Sequence, residues 1–163
     1  MDDSQARLVR YLQDAWAVES GLVVNLKEMA EDVNDPEVQT HFMEHRASTM
    51  QQADRLSARL RSLGKEPPAG KGFLSQMLGM IGDAMHISPD SYDKTVQNLF
   101  VCYGWMNFGA AMYEGMEAYA KIIGDTETAE LARSHKDEEQ EAAKKIWPLI
   151  SKCSMRVAEI VHA

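Results

Sequence analysis

The sequence predicts an all-α protein, a four-helix bundle with a long crossover between helices 2 and 3 that contains a short extra helix. Three observations carry that prediction. Apolar residues recur at three- and four-residue spacing almost throughout the 163 residues, and no alternating strand pattern appears. Turn and cap signals cut the chain into four long periodic segments. Two of the three gaps between these segments are short, whereas residues 64–90 are too long for a simple turn and carry an apolar face of their own.

The elements follow in order. The first helix runs from about Ser4 to Val33, where Asn34-Asp35-Pro36-Glu37 ends it and starts the next; Asp35 can cap and Pro36 suits a first helical position. The second continues to Leu63 and stops at Gly64, with Lys-Glu-Pro-Pro beyond it. Within the crossover, Phe73 to Met85 reads as the short extra helix. Ser88-Pro89-Asp90 opens a third helix that reaches Ile123 and stops at Gly124. Asp125 or Thr126 caps the fourth, which Pro148 kinks without ending. A length of 163 residues suits one domain, 1–163, built around one core.

Composition narrows the function classes. The net charge is −8 and charges of both signs are mixed along the helices, which argues against a nucleic-acid footprint or a basic membrane-surface helix. No apolar run has the length of a membrane span, and Met-Asp-Asp-Ser-Gln lacks the charge and apolar core of a signal peptide. Cys102 and Cys153 lie far apart in no ligand spacing, as expected of two reduced thiols in a cytoplasmic protein. The eleven methionines and the aromatics Trp105, Phe108, Tyr113 and Tyr119 read as core or interface filling.

The chemistry lies in polar residues on apolar seams. The first helix presents Leu8, Leu12, Ala15, Glu19, Leu22, Leu26 and Met29 along one stripe, so Glu19 is a carboxylate among buried neighbours. A buried carboxylate has to be protonated, paired with a cation or bound to a metal. The second helix repeats the pattern with Val38, Phe42, His45, Thr49, Gln52, Leu56 and Leu60. The third offers Leu99, Tyr103, Met106, Ala110, Tyr113 and Glu117, with Glu114 on an adjacent face. On the fourth, Leu131, His135, Glu138 or Glu139, Ala142, Ile146 and Leu149 form the stripe. Glu19, His45 and Glu139 are thus expected to meet at mid-bundle, with His135 and Glu117 or Glu114 as further candidates.

Inward carboxylates and imidazoles from several helices are how bundles hold two iron or manganese ions. The complete set needs a Glu from each of two helices and a Glu-x-x-His from each of the others. This chain has no Glu-x-x-His; His41-x-x-Glu44 and His135-x-x-Glu138 run in the reverse order. The alternative is a metal-free cluster in which Glu, His, Thr and Gln hydrogen-bond one another and fix the register. His41 and His162 are expected at the surface, and His86 stands near the crossover's end.

Tyr11-Leu-Gln-Asp-Ala-Trp-Ala-Val-Glu19 resembles the opening helix of the YciE/YciF family of bacterial ferritin-like proteins. Pro36-Glu37, Phe42, Glu44-His45, Thr49, Gln52, Arg55-Leu56 and Leu63-Gly64 are similar in order and spacing to that family's second helix. Tyr113, Gly124 and the pair Glu138-Glu139 extend the resemblance along nearly the whole chain. It implies a ferritin-like bundle, usually dimeric, from a family linked to stress responses and without an established activity, in which some members look able to bind two metals. It places Glu19, His45 and Glu139 on ligand positions. The chain departs from the family at Ser48, where a Glu is usual, at Met106-Asn107-Phe108-Gly109, where a Glu-His-Tyr-Glu run is usual, and at Ala143.

The expectation is therefore a stress-associated, non-catalytic, cytoplasmic homodimer whose inward polar cluster is the remnant of a di-metal site. The alternative is an iron- or manganese-dependent oxidase or peroxide-handling protein using Glu19, His45, Glu139, His135 and Glu117. A third reading is an interaction module that recruits a protein partner through an apolar face near Trp105 or Trp147. Neither a nucleic acid nor a membrane is expected as a partner.

Overall fold

The computed structural model describes residues 3–68 and 90–161. The expected short helix from Phe73 to Met85, and His86 and His162, lie outside these residues. Four helices make up the described chain: α1 (Asp3–Asp32), α2 (Pro36–Ser62), α3 (Ser91–Ile122) and α4 (Thr126–Val161). Their limits fall within a few residues of the sequence expectation because the punctuation works as local chemistry predicts. Asp35 caps α2 by accepting from the Glu37 and Val38 amides at 2.9 and 3.3 Å. Asp90 caps α3 in the same way through the Tyr92 and Asp93 amides. At the head of α4 the Asp125 carboxylate accepts the Thr128 amide at 2.9 Å.

Two helix ends close by one device. Gly64 and Gly124 adopt φ of 71° and 79°, a region that costs a side chain but not a glycine. The amide of the residue after each glycine then reaches back to a carbonyl of the last helical turn, Lys65 to Leu60 at 3.0 Å and Asp125 to Ala120 at 2.9 Å. Pro148 sits inside α4, which continues past it to Val161.

α1 packs along α2 and α3 along α4, and the two hairpins meet through α1 against α3 and α2 against α4. Leu8, Leu12, Leu56, Leu60, Ala120 and Ala129 share one apolar cluster. Leu26, Val38, Phe42, Leu99, Ile146 and Cys153 share the other. α2 therefore finishes at the end of the bundle opposite to where α3 begins. With 27 residues at about 1.5 Å each, α2 is roughly 40 Å long. The connection must regain that length, which is why 64–90 could not be a tight turn.

The α3 seam differs from the sequence expectation. Leu99, Met106, Tyr113 and Glu117 are buried as expected, but Cys102 and Gly109 are buried in place of Tyr103 and Ala110, which are half-buried. α3 is apolar on nearly every side, so its periodicity does not single out one face. Phe100, Phe108 and Ile122 point outwards from the same helix that buries Trp105 and Met106.

Candidate metal centre at mid-bundle

The two apolar clusters are separated by a polar layer. Glu19 from α1, His45, Thr49 and Gln52 from α2, and His135 and Glu139 from α4 are all at most 5% exposed. The heptad seams that carry them also carry leucines one or two turns away, so burial is enforced by the flanking apolar residues. Tyr113 of α3 completes the layer, its hydroxyl donating to Glu19 Oε1 at 2.6 Å. The Tyr113 ring meets the His135 ring edge to face at 4.9 Å between centroids.

Glu139 is the inward member of the Glu138-Glu139 pair. Its side chain lies against Gly109, where an added Cβ would stand 3.2 Å from the Glu139 Cγ. The absent side chain at Gly109 thus makes the space that Glu139 fills. Glu139 Oε2 lies 3.8 Å from His45 Nε2, too far for a hydrogen bond. Glu138 turns towards the α2–α4 seam instead and takes a two-pronged grip from Arg55, at 2.8 and 2.6 Å. The Gln52 amide and the Ser134 hydroxyl also donate to Glu138, at 3.2 and 3.1 Å.

Burial dominates the electrostatics. It raises the Glu19 carboxyl to about 7, against the lowering effect of the Tyr113 hydrogen bond. It also raises Glu139 well above the carboxylate range, helped by the negative charge of Glu19. The imidazoles move the other way: burial lowers His45 to about 4. Burial and the Arg55 charge lower His135 to about 4. Burial thus favours the neutral imidazoles of His45 and His135 and the protonated form of Glu139, with Glu19 near its midpoint at neutral pH. Four of its buried polar atoms, Glu19 Oε2, Gln52 Oε1 and both His135 ring nitrogens, have no hydrogen-bond partner among the described residues.

Glu117 does not join this layer. Its carboxylate is held by Lys121 at 2.5 Å, Arg133 at 2.9 Å and Lys136 at 2.7 Å. Those three cations, Lys121 and Lys136 foremost, keep it at about 2. Glu114 is exposed and shares Lys136 with it. Tyr113 and Arg55 are the layer residues that a search for metal ligands overlooks. The signal for both lay in the resemblance, which spans Arg55 and Tyr113, rather than in ligand spacing.

The donors fall short of a two-metal set. α1 supplies Glu19, α2 His45 and α4 Glu139 and His135, whereas α3 brings a tyrosine and a glycine where a carboxylate would be needed. Glu138 is committed to Arg55, and Ser48 carries no charge. Among the described residues no three His, Cys, Asp or Glu side chains are gathered as they would be around an ion. Glu19 Oε2 and both His135 ring nitrogens are left without a partner among the described residues, but they do not complete a donor set around an ion.

Comparisons with known proteins agree with this architecture. A protein of Xanthomonas campestris pv. campestris superposes with a TM-score of 0.84 at 23% identity, covering 99% of this chain and 100% of that one. The Escherichia coli stress protein YciF gives 0.81 at 15% identity, covering 94% and 98%. A ferritin-like, diiron-carboxylate protein of Bacillus anthracis gives 0.67 at 15% identity, covering 92% and 99%. At these identities the likeness establishes a ferritin-like four-helix fold. No curated protein matches the sequence. The family model for a domain of unknown function, DUF892, matches residues 3–158, and the chain belongs to that family.

Proposed function

We propose that this protein is a non-catalytic, stress-associated ferritin-like bundle whose polar layer is a degenerate di-metal site. The observation that carries this reading is the Arg55–Glu138 ion pair, bidentate and half-buried at the edge of the layer. A guanidinium there supplies the positive charge that a bound metal would otherwise bring, and it removes one carboxylate from the donor set. Burial, which favours the protonated form of Glu139, accounts for a second carboxyl without a metal. The stress association leans on the likeness to the E. coli stress protein YciF. Two buried free cysteines, Cys102 and Cys153, suit the reducing cytoplasm. Among the described residues no helix is long and apolar enough to cross a membrane.

The unpartnered Glu19 Oε2 and His135 nitrogens favour a second reading, a single iron or manganese ion held by Glu19, His45 and Glu139 in an oxidase or peroxide-handling protein. Metal analysis of protein purified without chelator and reloaded with Fe2+ or Mn2+ separates the two. The non-catalytic reading expects no stoichiometric iron or manganese. One equivalent that disappears in Glu19→Ala and Glu139→Ala would overturn it.

A further inference from the structure

Among the described residues Tyr113 is the tyrosine that is fully buried, and its hydroxyl faces a carboxyl oxygen of Glu19. At 2.6 Å the contact lies in the range of roughly 2.5–2.7 Å typical of a hydroxyl donating to an ionised carboxyl. A phenol that loses one electron becomes a strong acid, so it is oxidised readily only where a base takes its proton in the same step. Glu19 Oε1 is placed as that base, one hydrogen bond away. The Tyr119 hydroxyl instead donates at 3.1 Å to the Ser4 carbonyl, which does not hold a proton. Of the two, Tyr113 is the deeper trap for an oxidising equivalent.

A file of oxidisable side chains joins this ring to the surface. Tyr113, Met116 and Tyr119 stand three residues apart on α3, neighbours separated by about 5–6 Å at their Cβ atoms. Each step of three turns about 60° around the helix, so the file begins in the core and drifts towards solvent. Tyr113 and Met116 are buried in one apolar cluster, and Tyr119 packs against it. Met116, Tyr119 and Tyr11 then line the groove between α1 and α3. There the Tyr11 and Tyr119 rings meet edge to face at 5.3 Å between centroids, and Tyr11 is 37% exposed.

We propose that Tyr113 is a redox-active tyrosine that traps one-electron oxidising equivalents entering through the Tyr11–Tyr119 pair, with Glu19 as its proton acceptor. An oxidant of the peroxyl-radical class takes one electron at the pair and becomes the peroxide anion. Tyr113 makes that electron good through Met116, and its phenolic proton moves to Glu19 Oε1. The products inside the bundle are a neutral tyrosyl radical and a protonated Glu19. A one-electron reductant such as ascorbate returns the electron, and the proton comes back from Glu19. Electrons cross between packed side chains without any opening, so a second chain laid over the groove leaves the route intact. Enclosure keeps the radical from water and from side reactions. The step uses side chains alone and is independent of how the layer behaves towards metals.

The test is pulse radiolysis of the full-length, chelator-treated protein at pH 8, with the azide radical as one-electron oxidant. Transient absorption tells tyrosyl from tryptophanyl radicals. In the unsubstituted protein the oxidising equivalent should settle as one long-lived tyrosyl radical. Tyr113→Phe and Glu19→Gln should each lose that signal, leaving only short-lived radicals. Tyr119→Phe should slow its arrival and leave its final form unchanged. Circular dichroism checks the fold of each variant. Glu19→Gln keeps an oxygen for the Tyr113 hydroxyl, so it carries the test even where Tyr113→Phe fails to fold. The assignment is overturned by the absence of a long-lived tyrosyl radical, or by one that survives Tyr113→Phe or Glu19→Gln. An arrival rate indifferent to Tyr119→Phe, or a radical that settles on Trp16, Trp105 or Trp147, would overturn it too.

Discussion

At the scale of single residues, Glu19 and the two histidines set opposing pH dependences. A carboxyl raised from 4.5 to about 7 keeps its proton in the folded chain after the unfolded chain has lost it. Its contribution to stability therefore declines as pH rises between those values. His45 and His135, lowered from 6.5 to about 4, are neutral when folded and protonated when unfolded within that window. Their contribution declines as pH falls from 6.5 towards 4. Metal-free protein should accordingly be most stable in the mildly acidic range where the two slopes cross. Glu19→Gln keeps an oxygen for Tyr113 to donate to and removes the buried charge. It should stabilise the chelator-treated protein by up to about 3 kcal/mol at pH 8 and change little at pH 5. Urea denaturation at both pH values measures this, and a loss of stability at pH 8 would contradict a Glu19 carboxyl raised by burial.

At the scale of the element, α3 shows how one glycine can serve chemistry while its neighbours serve nothing comparable. Gly104, Gly109 and Gly115 all lie inside the helix, and an added Cβ meets nothing within 4 Å at Gly104 or Gly115. Gly104→Ala and Gly115→Ala should each raise stability by roughly 0.5–1 kcal/mol from helix propensity. At Gly109 the new methyl crowds Glu139, so the same substitution should forfeit that gain. Thermal melts of the three variants decide the point; equal stabilisation at all three would mean that Glu139 is not seated against Gly109.

The sequence was most legible where an element depends on local chemistry. Asp35, Gly64, Asp90 and Gly124 act within a turn of where they stand, and the limits of α2 and α3 followed from them. It was least legible on α3, because a helix with apolar residues on most sides has no periodic face to read. The seam expected over Tyr103 and Ala110 runs over Cys102 and Gly109 for that reason. Glu117 misled for a related reason: seam spacing reports burial, and it is buried, but its carboxylate is neutralised by Lys121, Arg133 and Lys136 on its own and the neighbouring helix. Which of Glu138 and Glu139 points inward depended on Arg55, a partner 83 residues from Glu138. Spacing within α4 alone could not decide that.

At the scale of the whole molecule, the outward aromatics of α3 are the feature that a lone bundle leaves unexplained. Tyr11, Phe108, Met112, Met116, Tyr119 and Ile122 line an apolar groove of about 530 Å³ between α1 and α3. Ile122 is 84% exposed. A homodimer burying this face would account for it, in line with the dimer that the resemblance implies. Sedimentation should find a dimer that Phe108→Asp shifts towards monomer, with helicity unchanged. A wild-type monomer at high concentration would remove the case for self-association.

The direction in which α3 re-enters the bundle has a consequence for how the interior comes into being. Each hairpin can close its own turn locally, and each holds only part of the polar layer: Glu19, His45 and Gln52 in one half, Tyr113, His135 and Glu139 in the other. The Tyr113–Glu19 hydrogen bond joins residues 94 apart, and the Gln52–Glu138 bond residues 86 apart. No local segment can make either bond. They exist only after the long connection has been closed, at the entropic cost that closure carries. The layer thus works as a vernier between the two hairpins: a slip of one helical turn would carry Tyr113 from Glu19 towards Ala15 or Leu22 and separate the two partners.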